Sequence, residues 1–165
     1  MFRPLFYSGP WGRPAAGRPP LPDRPKTRPL FAKGMQTRRA VLGDAHVDGA
    51  KASQTDFDAP FQALITEGAW GAVWSRPHWS KRERSMVTIA LLAALGHDEE
   101  LAMHVRATRN TGASEEDLRE AMMHVAIYAG VPAANRAIKI IKRTYAAMDS
   151  GRRRKAGKSK RSPVA

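Results

Sequence analysis

An all-α fold, a compact helical bundle, is what this sequence predicts, and three observations carry the prediction. Apolar residues recur three and four positions apart through most of the chain between residues 35 and 149. Start and stop signals bracket those stretches, with Ser80-x-x-Glu83 and Ser114-x-x-Asp117 at starts and Gly43, Gly96, Gly112 and Gly130 at ends. No segment alternates apolar with polar residues as a half-buried strand would, and no internal repeat is present.

Eight of the twelve prolines fall in residues 1–34. Each fixes φ and removes a backbone donor, so neither helix nor ladder can run through such a stretch. Residues 1–33 are therefore expected to form a disordered Pro/Arg-rich extension, 34–149 the helical domain, and 150–165 a basic disordered tail. Residues 35–42 read as a short helix ended by Gly43, and residues 43–53 as loop. Phe57, Phe61, Leu64, Ile65 and Ala69 predict the next helix, with Pro60 in its first turn. It frays into Trp70, Gly71 and Trp74 and stops before Pro77. The Ser80–Glu83 capping box opens a helix over 81–95, apolar nearly all round from Met86 and so expected to be the buried central element. Asp98 is placed to cap a helix over 99–111. Ser114 opens another that ends at Gly130, and Pro132 starts the last. Ala134, Ile138, Ile141, Tyr145 and Met148 form the apolar stripe of that last helix. The connections are short, so consecutive helices should pack as antiparallel neighbours.

The formal charge of +13 divides unevenly. Residues 1–34 hold seven Lys/Arg against one acid, and residues 150–165 hold seven against none. The middle holds fourteen of each and is neutral. A nucleic-acid-associated helical protein is the reading the ends suggest, but the domain has no basic stripe, which leaves non-specific tail contacts only. The absence of cysteine excludes disulfides, thiolate metal sites and thiol catalysis, and fits a cytoplasmic location. No apolar run is long enough for a membrane span.

Polar groups concentrate between residues 97 and 128. His97, Glu100 and His104 stand at i, i+3 and i+7 on one helical face, and Asp117, Glu120, His124 and Tyr128 make a second polar stripe. Glu100-x3-His104 and Glu120-x3-His124 repeat one pairing. A metal centre between helices favours Glu-x-x-His with further carboxylates, so no metal is assigned. A surface Glu–His hydrogen bond is the plainer reading for Glu120 and His124. His104 stands among Leu101, Val105 and Thr108, which implies partial burial and makes it the functional candidate.

The motifs GMQTRRAVLGDAHVD (34–48), WGAVWSRP (70–77), ERSMVTIALLAALG (83–96), EELAMHVRATRNTG (99–112) and AIYAGVPAAN (126–135) together resemble the carboxymuconolactone decarboxylase family. Thiol-peroxidase-like members carry Cys-x2-Cys-x3-His. Here the same spacing is His97-x2-Glu100-x3-His104, which points to the decarboxylase branch. Two departures concern the pocket rim: Arg76-Pro77-His78-Trp79 stands where members usually read RPGL, and members usually carry glutamine near His124.

The resemblance implies cofactor-free decarboxylation of a dicarboxylate lactone in aromatic degradation, by a homo-oligomer that is commonly hexameric. Another lactone or oxo-acid is the alternative substrate. Such a substrate supplies its own electron sink, because the pair left by departing CO2 runs through the ring double bond into the lactone carbonyl. The protein must hold two carboxylates, stabilise the developing charge and deliver one proton to carbon. His104 is the expected proton donor, with Glu100 hydrogen-bonded to it and raising its pKa. Arg76 and Arg84 are candidates to clamp carboxylates. Tyr128 and Asn135 are candidates to donate to the lactone oxygen, and Trp70 and Trp74 to wall the pocket. Each has a structural alternative: the tryptophans as core, Asn135 as a helix-start residue, Arg84 as partner of Glu83 or Asp98.

Overall fold

A computed structural model describes residues 28–159, with side chains to residue 153. The expected N-terminal extension up to residue 27 and the end of the basic tail lie outside the described residues. Among the described residues the chain is helical throughout: α1 (Pro29–Leu42), α2 (Asp44–Ala52), α3 (Ala59–Ile65), a π-helical segment (Thr66–Trp74), α4 (Lys81–Leu95), α5 (Asp98–Thr111), α6 (Glu115–Tyr128) and α7 (Val131–Ser159). None of these helices is long and apolar enough to cross a membrane.

Helices α4 to α7 form a four-helix bundle in which α5 and α6 each pack on both α4 and α7. Its core joins Ile89 and Ala93 of α4, Leu101 and Val105 of α5, Leu118, Met122 and Val125 of α6, and Ala134, Ala137 and Ile141 of α7. Both capping boxes form as the sequence requires. Ser80 N–H donates to the Glu83 carboxylate at 2.7 Å, and Ser114 N–H donates to that of Asp117 at 2.9 Å. Arg82 then ties the two helix starts together, its Nε donating to Asp117 at 2.7 Å. The α4–α5 turn is closed by Gly96 in the left-handed region, φ +80°. There Arg136 pairs with Asp98 at 3.1 Å and donates to the Ala93 carbonyl at 3.2 Å.

A second layer, α1 with the π-helical segment, lies on α5. The close approach depends on glycine: a Cβ on Gly34 would sit 2.0 Å from the Thr66 carbonyl oxygen and 2.9 Å from the Gly71 nitrogen. This contact lets the backbones meet and swings Trp70 and Trp74 inward to join Val41 and Ala107 in a small core.

Several expectations need correction. The first helix begins at Pro29, not residue 35; proline suits a first turn, and Arg28 beside it pairs with Glu67. The expected loop over 43–53 is largely helix α2, because Val47 is buried and Arg39 holds both Asp44 and Asp48, at 2.9 and 2.6 Å. The segment expected to fray keeps helical form in the wider π register. Phe57 is 96% exposed, and Phe61 and Leu64 are also exposed, so this stripe does not enter the core. Helix α4 is covered on one side only, leaving Val87, Leu91 and Leu95 exposed. His97, not Asp98, occupies the cap of α5, without a side-chain bond. Helices α5 and α6, although consecutive, are not packed neighbours. Helix α7 continues to Ser159, into the stretch expected as tail.

Candidate active site

The π-helical segment presents Thr66, Trp70 and Trp74 to the interior at intervals of four residues, and all three are buried. Across from them, α5 offers His104. Its imidazole lies nearly parallel to both indoles, 6.3 Å and 16° from Trp70 and 5.8 Å and 22° from Trp74. The indoles themselves are 5.2 Å apart. The layer contact that folds the domain therefore also builds a wall around one titratable ring.

His104 is only 7% exposed, and its Nδ1 is buried without a hydrogen-bond partner among the described residues. Burial lowers its pKa to about 4, outweighing the charge of Glu100, which raises it, while His46 lowers it further. The imidazole of the free protein is thus neutral at pH 7. This corrects the expected role of Glu100. Its side chain is exposed and makes no hydrogen bond to the ring, so it acts on His104 through charge alone, and burial wins.

His46 of α2 is a member of this neighbourhood that the sequence reading did not select. Its own pKa is lowered by burial and by the charges of Arg38 and Arg106. Arg38 was also missed. It is 7% exposed on the inner face of α1, donating to Gln62 Oε1 at 3.1 Å and to Thr66 Oγ1 at 3.4 Å. The available signal was its position four residues after Gly34 and three before Val41, on the face of α1 that packs inward.

The two arginines expected as clamps meet each other instead. Arg84 Nη2 donates to the Arg76 carbonyl at 2.9 Å, which fastens the loop after Trp74 to the start of α4. Its guanidinium also lies 6.0 Å from the Trp79 ring centre. Arg84 is buried with Nε unpartnered, whereas the Arg76 side chain is exposed. Neither Glu83 nor Asp98 is the partner of Arg84, since they serve Ser80 and Arg136. Tyr128 is 85% exposed and stacks on His124 at 6.1 Å. Asn135 lines an apolar groove of about 710 Å³ between α6 and α7 that does not include His104. Within the chain, then, the structure gathers His104, Trp70 and Trp74 and leaves Tyr128 and Asn135 on other surfaces. Among the described residues no three His, Asp or Glu side chains converge as a metal-binding group.

Comparison with known proteins adds a family and relatives. The pattern of the carboxymuconolactone decarboxylase family matches residues 59–143. A 4-carboxymuconolactone decarboxylase of Acinetobacter baylyi is 42% identical over 115 residues, covering 70% of this chain and 86% of the relative. A nitrosuccinic acid decarboxylase of Metarhizium robertsii is 39% identical over 117 residues, 71% of this chain and 82% of the relative. A third sequence, a 4-carboxymuconolactone decarboxylase of Pseudomonas putida, is 58% identical over 41 residues, 25% of this chain and 85% of that sequence. The span matched by the family pattern contains His104, Trp70 and Trp74 but neither Arg38 nor His46.

Proposed function

The chain belongs to the carboxymuconolactone decarboxylase family, and from that premise we propose that it converts 4-carboxymuconolactone to β-ketoadipate enol-lactone and CO2 without a cofactor, in aromatic-compound degradation. The observation that carries the reading is the buried His104 imidazole, held against two indoles with an unbonded ring nitrogen. The bond from the ring carbon to its carboxylate breaks. Its electron pair moves through the ring double bond into the lactone carbonyl, and CO2 leaves. His104 then delivers one proton to the carbon next to that carbonyl, which restores the neutral lactone.

The low pKa of His104 gives this step its order. A dianionic substrate beside the ring stabilises the imidazolium, so the proton is taken up as the substrate binds and released to carbon during turnover. Trp70 and Trp74 exclude water, which favours departure of neutral CO2 from a carboxylate. Arg84, with its free Nε, is the better placed of the two expected clamps. The exposed apolar residues of α3, α4 and α6 support a homo-oligomer as the working form, and in it Tyr128 and Asn135 would face a neighbouring copy.

The test is loss of the lactone's absorbance on adding protein that has been exhaustively treated with chelator, with light scattering of the same sample giving the subunit number. Turnover unchanged by chelation is expected. Activity lost on chelation and restored by a divalent metal would overturn the mechanism. Nitrosuccinate belongs beside the lactone in that assay, because a nitro group next to a departing carboxylate is another built-in electron sink. Turnover of nitrosuccinate alone would move the substrate without moving the chemistry.

A further inference from the structure

Arg38 is a buried guanidinium that no carboxylate among the described residues neutralises. Its two hydrogen bonds go to neutral groups, the Gln62 amide and the Thr66 hydroxyl, and its Nε is buried without a partner. Taking an ion out of water is costly, and a buried arginine normally recovers this from an acid held in its fork. The neighbouring Arg39 shows the ordinary arrangement, with Asp44 and Asp48 on its two Nη atoms. Arg38 stands one residue away and has none.

The space beside it suits an anion. A cavity of about 340 Å³ between α1, α2 and the Thr66 end of the π-helical segment is lined by Arg38, Arg39, Lys51, Gln54, Gln62 and Thr66, together with apolar side chains. No Asp or Glu lines it. With Arg39 already paired to Asp44 and Asp48, Arg38, Lys51 and the two amides on an apolar wall are the donor set that fixes a carboxylate while the rest of a small molecule lies on hydrocarbon. His104, Trp70 and Trp74 do not line this cavity, and its link to the candidate catalytic ring runs through Thr66. Thr66, which Arg38 touches, lies four residues before Trp70, and Trp70 stacks on His104. Val41, three residues after Arg38, packs with Trp70, Trp74 and Ala107.

We propose that Arg38 is a carboxylate-binding residue, and that the cavity beside it receives one carboxylate of a small dicarboxylic acid whose reacting carbon is presented toward His104. The proposal rests on the decarboxylase reading for the identity of the acid, but not for the anion site itself. It places one carboxylate-holding residue in the α1 layer, outside the span matched by the family pattern, and leaves the second carboxylate to Arg84.

The experiment pairs thermal unfolding with kinetics on the full chain, using succinate as the dicarboxylate probe and 4-carboxymuconolactone as substrate. In the unaltered protein succinate should raise Tm in a saturable way. Arg38→Met should match or exceed the unaltered Tm without succinate, because it removes a buried uncompensated charge. It should also lose the succinate response, and kcat/KM for the lactone should fall about 10²-fold, the scale for deleting one partner of a desolvated charged pair. Arg38→Lys keeps the charge without the planar fork and should retain the fold with a weakened succinate response. His124→Gln, at an exposed residue outside the cavity lining, should keep the succinate response in full.

A lower Tm for Arg38→Met with the succinate shift retained would make Arg38 a structural residue and overturn the proposal. So would failure of that variant to fold while Arg38→Lys responds to succinate like the unaltered protein, or absence of a succinate shift in the unaltered protein. If the unaltered protein ignores the lactone yet shows an Arg38-dependent succinate shift, the anion site stands and the substrate assignment falls. If it turns over the lactone and Arg38→Met does so equally well, the assignment stands and the anion site falls.

Discussion

Replacing His104 with alanine is expected to lower kcat by about 10²-fold or more, the usual scale for removing a positioned general acid. The substrate's own electron sink carries the departing pair, so the step most dependent on the protein is proton delivery to carbon. Among the described residues His104 is the buried imidazole, and it alone meets both indoles. His104→Gln fills much of the same space and should lose activity similarly, which separates loss of the proton donor from a packing defect. His124→Gln is the matching control. His124 is exposed and stacks only on the exposed Tyr128, so this variant should stay near the unaltered protein. Equal damage at His104 and His124 would mean that the acid is misassigned.

Acidification should destabilise the fold through the same residue by about 3 kcal/mol, from 1.36 kcal/mol per pKa unit. Burial lowers the pKa of His104 from an ordinary 6.5 to about 4. Above pH 6.5 the ring is neutral in both folded and unfolded chains, and its full contribution is present. Between pH 6.5 and 4 the unfolded chain binds a proton that the folded one refuses, so stability falls as pH falls. Below about 4 both states are protonated and this contribution is spent. His46, whose pKa is also lowered, adds a change of the same sign. Urea unfolding at pH 7.5 and 4.5 reads the effect, and His104→Gln should remove most of the difference over that window. An identical pH dependence in the variant would show that the ring is not held neutral by burial.

How much of this was legible in the sequence depends on how local each cause is. The starts of α4 and α6 were readable because Ser80 with Glu83 and Ser114 with Asp117 are complete within four residues. Helix α2 was not, since Gly43 and Gly49 argue for loop and only tertiary facts override them, the burial of Val47 and the grip of Arg39 on Asp44 and Asp48. The π register has no local signature either; it accompanies the approach of Gly34 to Thr66 across the layer. At the site, the neighbours of His104 pointed to its partial burial, but spacing could not show that Glu100, on the same face, is exposed. The two readings of the tryptophans, core or pocket wall, turn out not to be exclusive, since Trp70 and Trp74 pack with Val41 and still flank His104. Spacing from Gly34 and Val41 put Arg38 on the inward face, but a charge within an amphipathic helix reads as solvated, and burial without a counter-ion is a property of the assembled layers.

The proposed reaction is cofactor-free decarboxylation completed by a single proton delivered to carbon. Its most direct test is one turnover experiment in D2O with chelator-treated protein, reading CO2 and product by mass spectrometry and NMR. One CO2 per lactone consumed is expected, with one deuteron in the product at the carbon next to the lactone carbonyl, and release slowed about 10²-fold or more in His104→Gln. Product carrying no deuterium there, or turnover that requires an added metal or nucleotide, would contradict it.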